Sequence, residues 1–559
     1  MKTHADAFVS AVTAALTLLA TAVAAASPQD SLPIPIPQLA AFAGGPTGQA
    51  GGRSNTVDRR LVDAAQGRNL AAMRALLRDG VNVDAPHSDG ATPLAWAVHW
   101  DHHAMVDLLV SAGADASAAN DLGMTPLMLA STNGSAPMVG KLLEAGADPS
   151  AARPSGDTAL MMAARSGNAR VVRLLVAAGA DVNRATAGGH TALMWAAAER
   201  QVDVVRLLAE IGADVHARAA TRTRPPRAGG YGRKEPTVLS RFEAVNPAAL
   251  PRDGDLDPPR PEGGFTPLLH AVLAGHLESV RVLLAAGANI DEAAPDGVTA
   301  LMLALTKRHS EIAQFVLDAG ADPSPADAGY TALHLATATG ELAVAESLLV
   351  RGADPNERLE RPQRLTNAFE IGTFQSPGSG RLTQIGSTPF IVAAKSADAR
   401  MMRLLAEHGA DPRLTTNDGT TALMLAAGLG KRAASDITYY TWNEDTAVDA
   451  IRVGLELGVD VNAANAHGET ALHAAAYHNA NRVIEYLVEA GAGIDVTNAA
   501  EQTPLRVAEG HLICCTTFVR HDESAARLRE LGADPASGIQ LTFGLTNYGD
   551  ATEPNERSR

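Results

Sequence analysis

Along most of this chain, apolar residues recur three and four apart in short runs, and glycine and small residues interrupt them at regular intervals. The clearest unit runs from Gly156 to Ala180, GDTALMMAARSGNARVVRLLVAAGA. Thr158 opens it. The spacing predicts a small-residue helix from Ala159 to Arg165 and a break at Ser166-Gly167-Asn168. A second helix follows from Arg170 to Ala177, with Val171, Val172, Leu174 and Leu175 at helical spacing. Gly179-Ala180-Asp181 then ends it, glycine supplying the left-handed conformation of a helix stop. One such pair cannot bury its own apolar face, so it requires neighbours like itself.

Those neighbours are present. The opening threonines Thr92, Thr125, Thr158 and Thr191 stand 33 residues apart, and the series resumes at Thr266, Thr299, Thr331, Thr388, Thr421, Thr470 and Thr503. The text at these sites reads TPLA, TPLM, TALM, TALM, TPLL, TALM, TALH, TPFI, TALM, TALH and TPLR. This period with these openings resembles the ankyrin repeat. The resemblance implies an all-α ankyrin-repeat solenoid of about twelve helix-turn-helix units with finger loops, the first a cap over 57–80 that lacks the threonine. The order of repeats and insertions is also similar to exported bacterial ankyrin-array proteins. That likeness implies export and a binding scaffold, and supplies no reaction.

Spacing between markers locates four insertions within an array over 57–535. From a stop glycine to the next threonine is normally 12 residues, but Gly212 to Thr266 is 54 and Gly352 to Thr388 is 36. These extras, near 219–263 and 357–386, fall in the finger joining successive repeats. Two more, near 430–446 and 510–522, fall between the paired helices of one repeat. Residues 536–559 form a polar tail without periodicity.

Ahead of the array, residues 1–26 hold an apolar run, Phe8 to Ala25, followed by small-x-small sites, and read as a cleaved signal peptide. Residues 27–56 form a Pro/Gly-rich linker. The expected location is therefore periplasmic or extracellular, with no membrane contact after cleavage. A net charge of −16 argues against nucleic acid as a partner. The two cysteines, Cys514 and Cys515, are adjacent and allow no disulfide framework.

The methionines three after the threonine, Met128, Met161, Met194, Met302 and Met424, invite a soft-metal reading. One per repeat, they stand about a helix spacing apart, too far to share an ion, so packing explains them. Trp96 and Trp195 read as partly buried packing residues. The end of each first helix is expected on the concave face. It nominates His99, Trp100, Asn133, Arg165, Glu199, Lys307, Lys395, Tyr477 and His478 as binding residues. The insertion at 219–263 carries a basic half and an acidic half, and Asp253-Gly-Asp255-Leu-Asp257 begins like a calcium loop. Pro258 and Gly264 then occupy the positions that need glycine and glutamate. No metal-ligand, phosphate-loop, nucleophile or dinucleotide pattern is found.

The expectation is a non-catalytic scaffold, monomeric and without cofactor, that binds a protein partner through its concave face and fingers. Two alternatives are an enzyme or metal-dependent protein using the 219–263 insertion, and a membrane-tethered structural envelope protein.

Overall fold

The computed structural model describes residues 58–223, 261–325, 328–360, 364–365, 369–370, 374–376, 380–382, 385–429, 443–513 and 517–539. Residues 1–57, on which the expected signal and linker fall, most of the 219–263 insertion, Cys514, Cys515 and most of the tail lie outside them. The chain divides into two units, 1–57 and 58–559, and the second contains every described residue.

Twelve helix pairs make up the described array. The first three are α1 (Arg60–Gln66) with α2 (Leu70–Arg78), α3 (Pro93–His99) with α4 (His103–Ser111), and α5 (Pro126–Thr132) with α6 (Ala136–Glu144). Next come α7 (Ala159–Ser166) with α8 (Ala169–Ala177), and α9 (Ala192–Ala198) with α10 (Val202–Glu210). Beyond the first insertion lie α11 (Pro267–Leu273) with α12 (Leu277–Ala285), α13 (Ala300–Thr306) with α14 (Ser310–Asp318), and α15 (Ala332–Thr339) with α16 (Leu342–Val350). Then follow α17 (Pro389–Lys395) with α18 (Ala399–Glu407), and α19 (Ala422–Ala426) with α20 (Glu444–Glu456). The array ends with α21 (Ala471–Tyr477), α22 (Asn481–Glu489), α23 (Pro504–Glu509) and α24 (Asp522–Glu530).

In every pair after the first, a threonine marks where the first helix begins. Thr92 Oγ1 accepts from the Ala95 amide at 3.2 Å, and Thr125, Thr266 and Thr299 do the same three residues on. This satisfies an amide that has no partner within the helix. Proline, where present, occupies the first turn, where no amide donor is required. The next two residues of the opening are core: Leu94, Leu127, Leu160, Leu193 and Leu301 are essentially inaccessible. So are all five methionines of the series, at most 1% exposed.

At His334 and His473 the same buried slot is filled by an imidazole. Nδ1 of His334 accepts from the Thr331 amide at 3.3 Å, and Nε2 donates to the Ser387 carbonyl at 3.1 Å. His473 repeats the arrangement with the Thr470 amide and the Gln502 carbonyl. Each histidine thus ties its own cap to the following finger. Burial, the dominant cause, pushes both pKa values down to about 4, so both rings are neutral at pH 7.

First helices contact first helices without interruption from α1 to α23, including α9 with α11 and α15 with α17 across the two finger insertions. The fingers stack through backbone bonds, such as Ala187 N–H to Ser155 carbonyl at 3.0 Å. The backbones approach closely enough that a Cβ on Gly156 would stand 2.8 Å from Thr186 Cα.

The insertions carry short antiparallel hairpins. β1 (Thr221–Thr223) pairs with β2 (Pro261–Gly263) as a stem at the root of the first. In the second, β3 (Arg364–Leu365) pairs with β4 (Phe369–Glu370), and β5 (Phe374–Ser376) with β6 (Gly380–Leu382). Between α23 and α24, β7 (His511–Ile513) pairs with β8 (Thr517–Val519).

Candidate functional site

Every first helix except α23 ends at a turn that passes through the left-handed region. Gly134, Gly167, Gly275 and Gly340 take that conformation, but so do Arg68, Asp101, Arg200, Arg308, Ala397 and Asn479, with φ between 50° and 61°, all but Ala397 charged or polar. A side chain in this region costs about 1–2 kcal/mol relative to glycine. Charged and polar groups are therefore held at the turn, beside the nominated row, where glycine would be the relaxed choice.

Near the start of the array the row is aromatic. His99 ends α3 and Trp100 caps it, with their rings 4.6 Å apart and Trp96 stacked 6.2 Å from Trp100. The Arg68 guanidinium lies 3.8 Å over the Trp100 ring, a cation–π contact between the cap repeat and its neighbour. Burial and then the Arg68 charge lower the His99 pKa. Trp96 is only 2% exposed, so it forms the floor beneath Trp100.

Asn133 caps α5 and turns back on the array. Its Nδ2 donates to the carbonyls of Val98 and His99 at 3.2 and 3.3 Å, closing the end of α3. Arg165, seven residues after its threonine, and Glu199, eight after the next, form an ion pair at 3.6 Å between consecutive repeats. Arg165 also stands 4.7 Å over the Trp195 ring. Lys307 caps α13, and with Arg200 it depresses the His309 pKa, after the larger effect of burial. Lys395 ends α17 and is half-buried. Tyr477 ends α21 and is buried, at 8% exposure, with its ring 5.0 Å from that of His478, which caps the helix and is half-buried.

A second cluster lies outside the nominated row. His190, immediately before Thr191, lies tilted against Trp195 and His270, with ring centroids 5.5 and 5.8 Å away. Phe265 approaches His270 edge-on at 5.9 Å. Phe265 and His270 follow the first insertion and His190 precedes it, so the cluster sits beside the β1–β2 stem. Repeat position is the signal that finds it. His190 is one residue before its threonine and His270 four after, columns in which most other repeats carry non-aromatic residues.

Among the described residues, no group of three His, Cys, Asp or Glu side chains is arranged to hold a metal ion. Among them also, no helix is long and apolar enough to cross a membrane.

Ankyrin-repeat family models match residues 61–153, 127–219, 247–327 and 271–358 in three-copy form, and 455–508 in many-copy form. Together these matches cover more than half of the chain, and the chain belongs to the ankyrin-repeat family. It is similar to the mouse (Mus musculus) protein "Ankyrin repeat and SOCS box protein 16", with 33% identity over 121 residues. That stretch is 22% of this chain and 25% of the mouse protein, so the likeness spans about a quarter of the relative. Ankyrin repeats generally mediate protein–protein interaction, and their proteins are generally non-catalytic scaffolds.

Proposed function

We propose that this chain is an exported, non-catalytic scaffold that binds a protein partner through the ends of its first helices and its fingers. The observation that carries the reading is the row from Arg68 through Arg165, Glu199, Arg200 and Lys307 to His478. It sets cationic, anionic and aromatic groups along one uninterrupted stack of helices. Trp, Tyr and Arg are the side chains that most often anchor protein contacts. The apolar run Phe8 to Ala25 and the alanine-rich sites after it support export to the periplasm or the exterior.

The first insertion separates a scaffold from an enzyme built on that segment. Its stem pairs Thr223 with Pro261 as Cα partners, so a short turn can replace residues 224–260. The shortened chain is expected to keep its helical signal, its melting temperature and at least part of its partner binding. A chain that folds and has lost all partner binding would place the function in the insertion.

A further inference from the structure

We propose that the segment docking on the first-helix ends is acidic. It is an extended stretch of a partner protein whose carboxylates, about five or six residues apart, meet the cationic turns of α9, α13 and α17. The proposal rests on the protein-binding reading and names the chemistry of the partner.

The charge along this row runs against that of the chain. The net charge is −16, yet positions seven to nine after the threonines of α7 to α17 hold Arg165, Arg200, Lys307, Arg308 and Lys395 against one carboxylate, Glu199. Glu199 is itself paired with Arg165. The second helices, by contrast, carry more Asp and Glu than Lys and Arg.

Two of the arginines are held there at a conformational cost. Arg200 and Arg308 have φ of 61° and 58°, at the turn position where Gly134, Gly167, Gly275 and Gly340 stand in other repeats. Packing alone would be served by glycine, so a cation kept at a strained turn points to a use outside the packing.

The field along the row is positive. The His309 ring lies on the turn of the preceding repeat, where a Cβ on Gly275 would stand 2.6 Å from its Cε1. Burial lowers the pKa of this ring first, and the charges that add to the effect, Arg200 and Lys307, are both cations. His99 likewise feels Arg68. At the fingers carboxylates act instead, Asp157 as the larger charge on His190 and Asp418 on His467.

Cationic and glycine turns alternate from α9 to α17. Arg200, the Lys307–Arg308 pair and Lys395 are separated by the turns at Gly275 and Gly340, and a Cβ on Gly340 would meet nothing within 4 Å. Successive cationic turns therefore lie two repeats apart, about 16–20 Å at the usual helix spacing. An extended chain rises about 3.3 Å per residue and so reaches the next such turn after five or six residues. Nucleic acid carries its phosphates far more densely, and the charge of the chain repels it.

The test measures fluorescence anisotropy of labelled peptides of one length on the full chain. One peptide has Glu at every fifth position among Ser, Thr and Ala; two others have Gln or Lys in place of Glu. The Glu peptide is expected to bind at least tenfold more tightly than the Gln peptide, the Lys peptide or oligothymidylate, and to weaken as salt is raised. Arg200→Gly with Arg308→Gly relaxes both turns, so this variant should melt no lower than the wild type and yet bind the Glu peptide at least tenfold more weakly. Arg74→Glu with Arg78→Glu, exposed on α2, should leave that binding within twofold. The proposal is overturned if the Glu peptide does not bind, if the Gln peptide, the Lys peptide or oligothymidylate binds as tightly, or if the Arg200/Arg308 variant stays within twofold. Loss of binding in the Arg74/Arg78 variant equal to that in the Arg200/Arg308 variant would overturn it as well. Should the Glu peptide fail while the Arg165/Glu199/Lys307/Lys395 variant still loses a captured protein partner, the acidity of the partner falls and the protein-binding reading stands.

Discussion

Arg218 and Arg358 occupy the same place in their repeats, six residues after the stop glycines Gly212 and Gly352, and both reach across a finger insertion. Nη1 of Arg218 donates to the carbonyls of Gly264 and Ala293 at 3.2 and 2.9 Å, and Nη2 to Glu292 at 2.8 Å. Nη1 of Arg358 donates to the carbonyls of Gly386 and Thr415 at 3.4 and 3.0 Å. No other repeat has arginine at this position; Ala, Thr, Pro or Gly stands there. An inserted segment interrupts the finger hairpin, and the carbonyls beyond it need donors from further away. Arginine supplies several N–H groups at long reach in a fixed fork.

Substituting either arginine should loosen the root of its finger. Both side chains are largely exposed, so Arg358→Ala is expected to cost only about 1 kcal/mol. Hydrogen exchange is the sharper readout. The Leu359 amide, bonded to the Ser387 carbonyl at 2.8 Å, should exchange faster in the variant, while amides of α7 and α8 stay unchanged. Arg358→Lys should restore little of the protection, because an ammonium lacks the planar fork.

Asn356 bridges the same gap from the other side of the finger. Its Nδ2 donates to the Gly409 carbonyl at 2.9 Å, and its Oδ1 accepts from the Asp411 amide at 2.7 Å. Asn183 and Asn462 make the same two bonds to Gly212 and Asp214 and to Gly491 and Gly493, so the insertion leaves this register intact. Asn356→Ala and Asn183→Ala should therefore destabilise by similar amounts, about 1–2 kcal/mol each, measured by urea unfolding.

The fold was legible because each repeat carries its own punctuation. A capping threonine and a stop glycine act locally, and their 33-residue period counts the pairs without any knowledge of contacts. What depends on the neighbouring repeat was not legible. Leu174 and Leu175 both sit on the apolar face of the pattern, yet Leu175 is fully buried and Leu174 only half so. Asn133 is half spent on closing α3, and Tyr477 points inward, because each lies where an adjacent turn packs. His190 and His270 meet across an insertion whose length hides their proximity in sequence. The arginines of the extended fingers likewise act on carbonyls that lie beyond an insertion in sequence.

Stability should fall with acid well before the carboxylates titrate. His270, His334 and His473 have folded-state pKa values of about 4, against about 6.5 unfolded. Between those values the unfolded chain binds more protons, so their contribution is complete above pH 6.5 and is lost as pH falls toward 4. At about 1.4 kcal/mol per unit, each contributes up to a few kcal/mol. The urea midpoint should drop between pH 7 and pH 4.5. A variant with His334→Met and His473→Met, which places in both slots the residue used by five other repeats, should show a shallower drop.

Export predicts a shortened chain. Mass spectrometry of the protein purified from its native cells should find a mature N-terminus near Ala25 or Ser27, in the fraction outside the cytoplasm. Full-length chain beginning at Met1 in the soluble cytosol would contradict the location proposed.

The most direct measurement compares two surface variants for binding to the partner captured from the compartment in which the mature chain resides. One variant carries Arg165→Ala, Glu199→Ala, Lys307→Ala and Lys395→Ala, and removes both members of the Arg165–Glu199 pair so that neither charge is left alone. The other carries Arg173→Ala and Arg206→Ala on the exposed side of the second helices α8 and α10. Arg173 and Arg206 are exposed, so the second variant should melt close to the wild type, whereas Arg165, Lys307 and Lys395 are half-buried, so binding by the first is compared at a temperature where its helical signal is intact. The first is expected to bind at least tenfold more weakly and the second within twofold of the wild type. Normal binding by the first variant, with loss in the second, would mean that the working surface lies on the second helices and not on the row from Arg165 to Lys395.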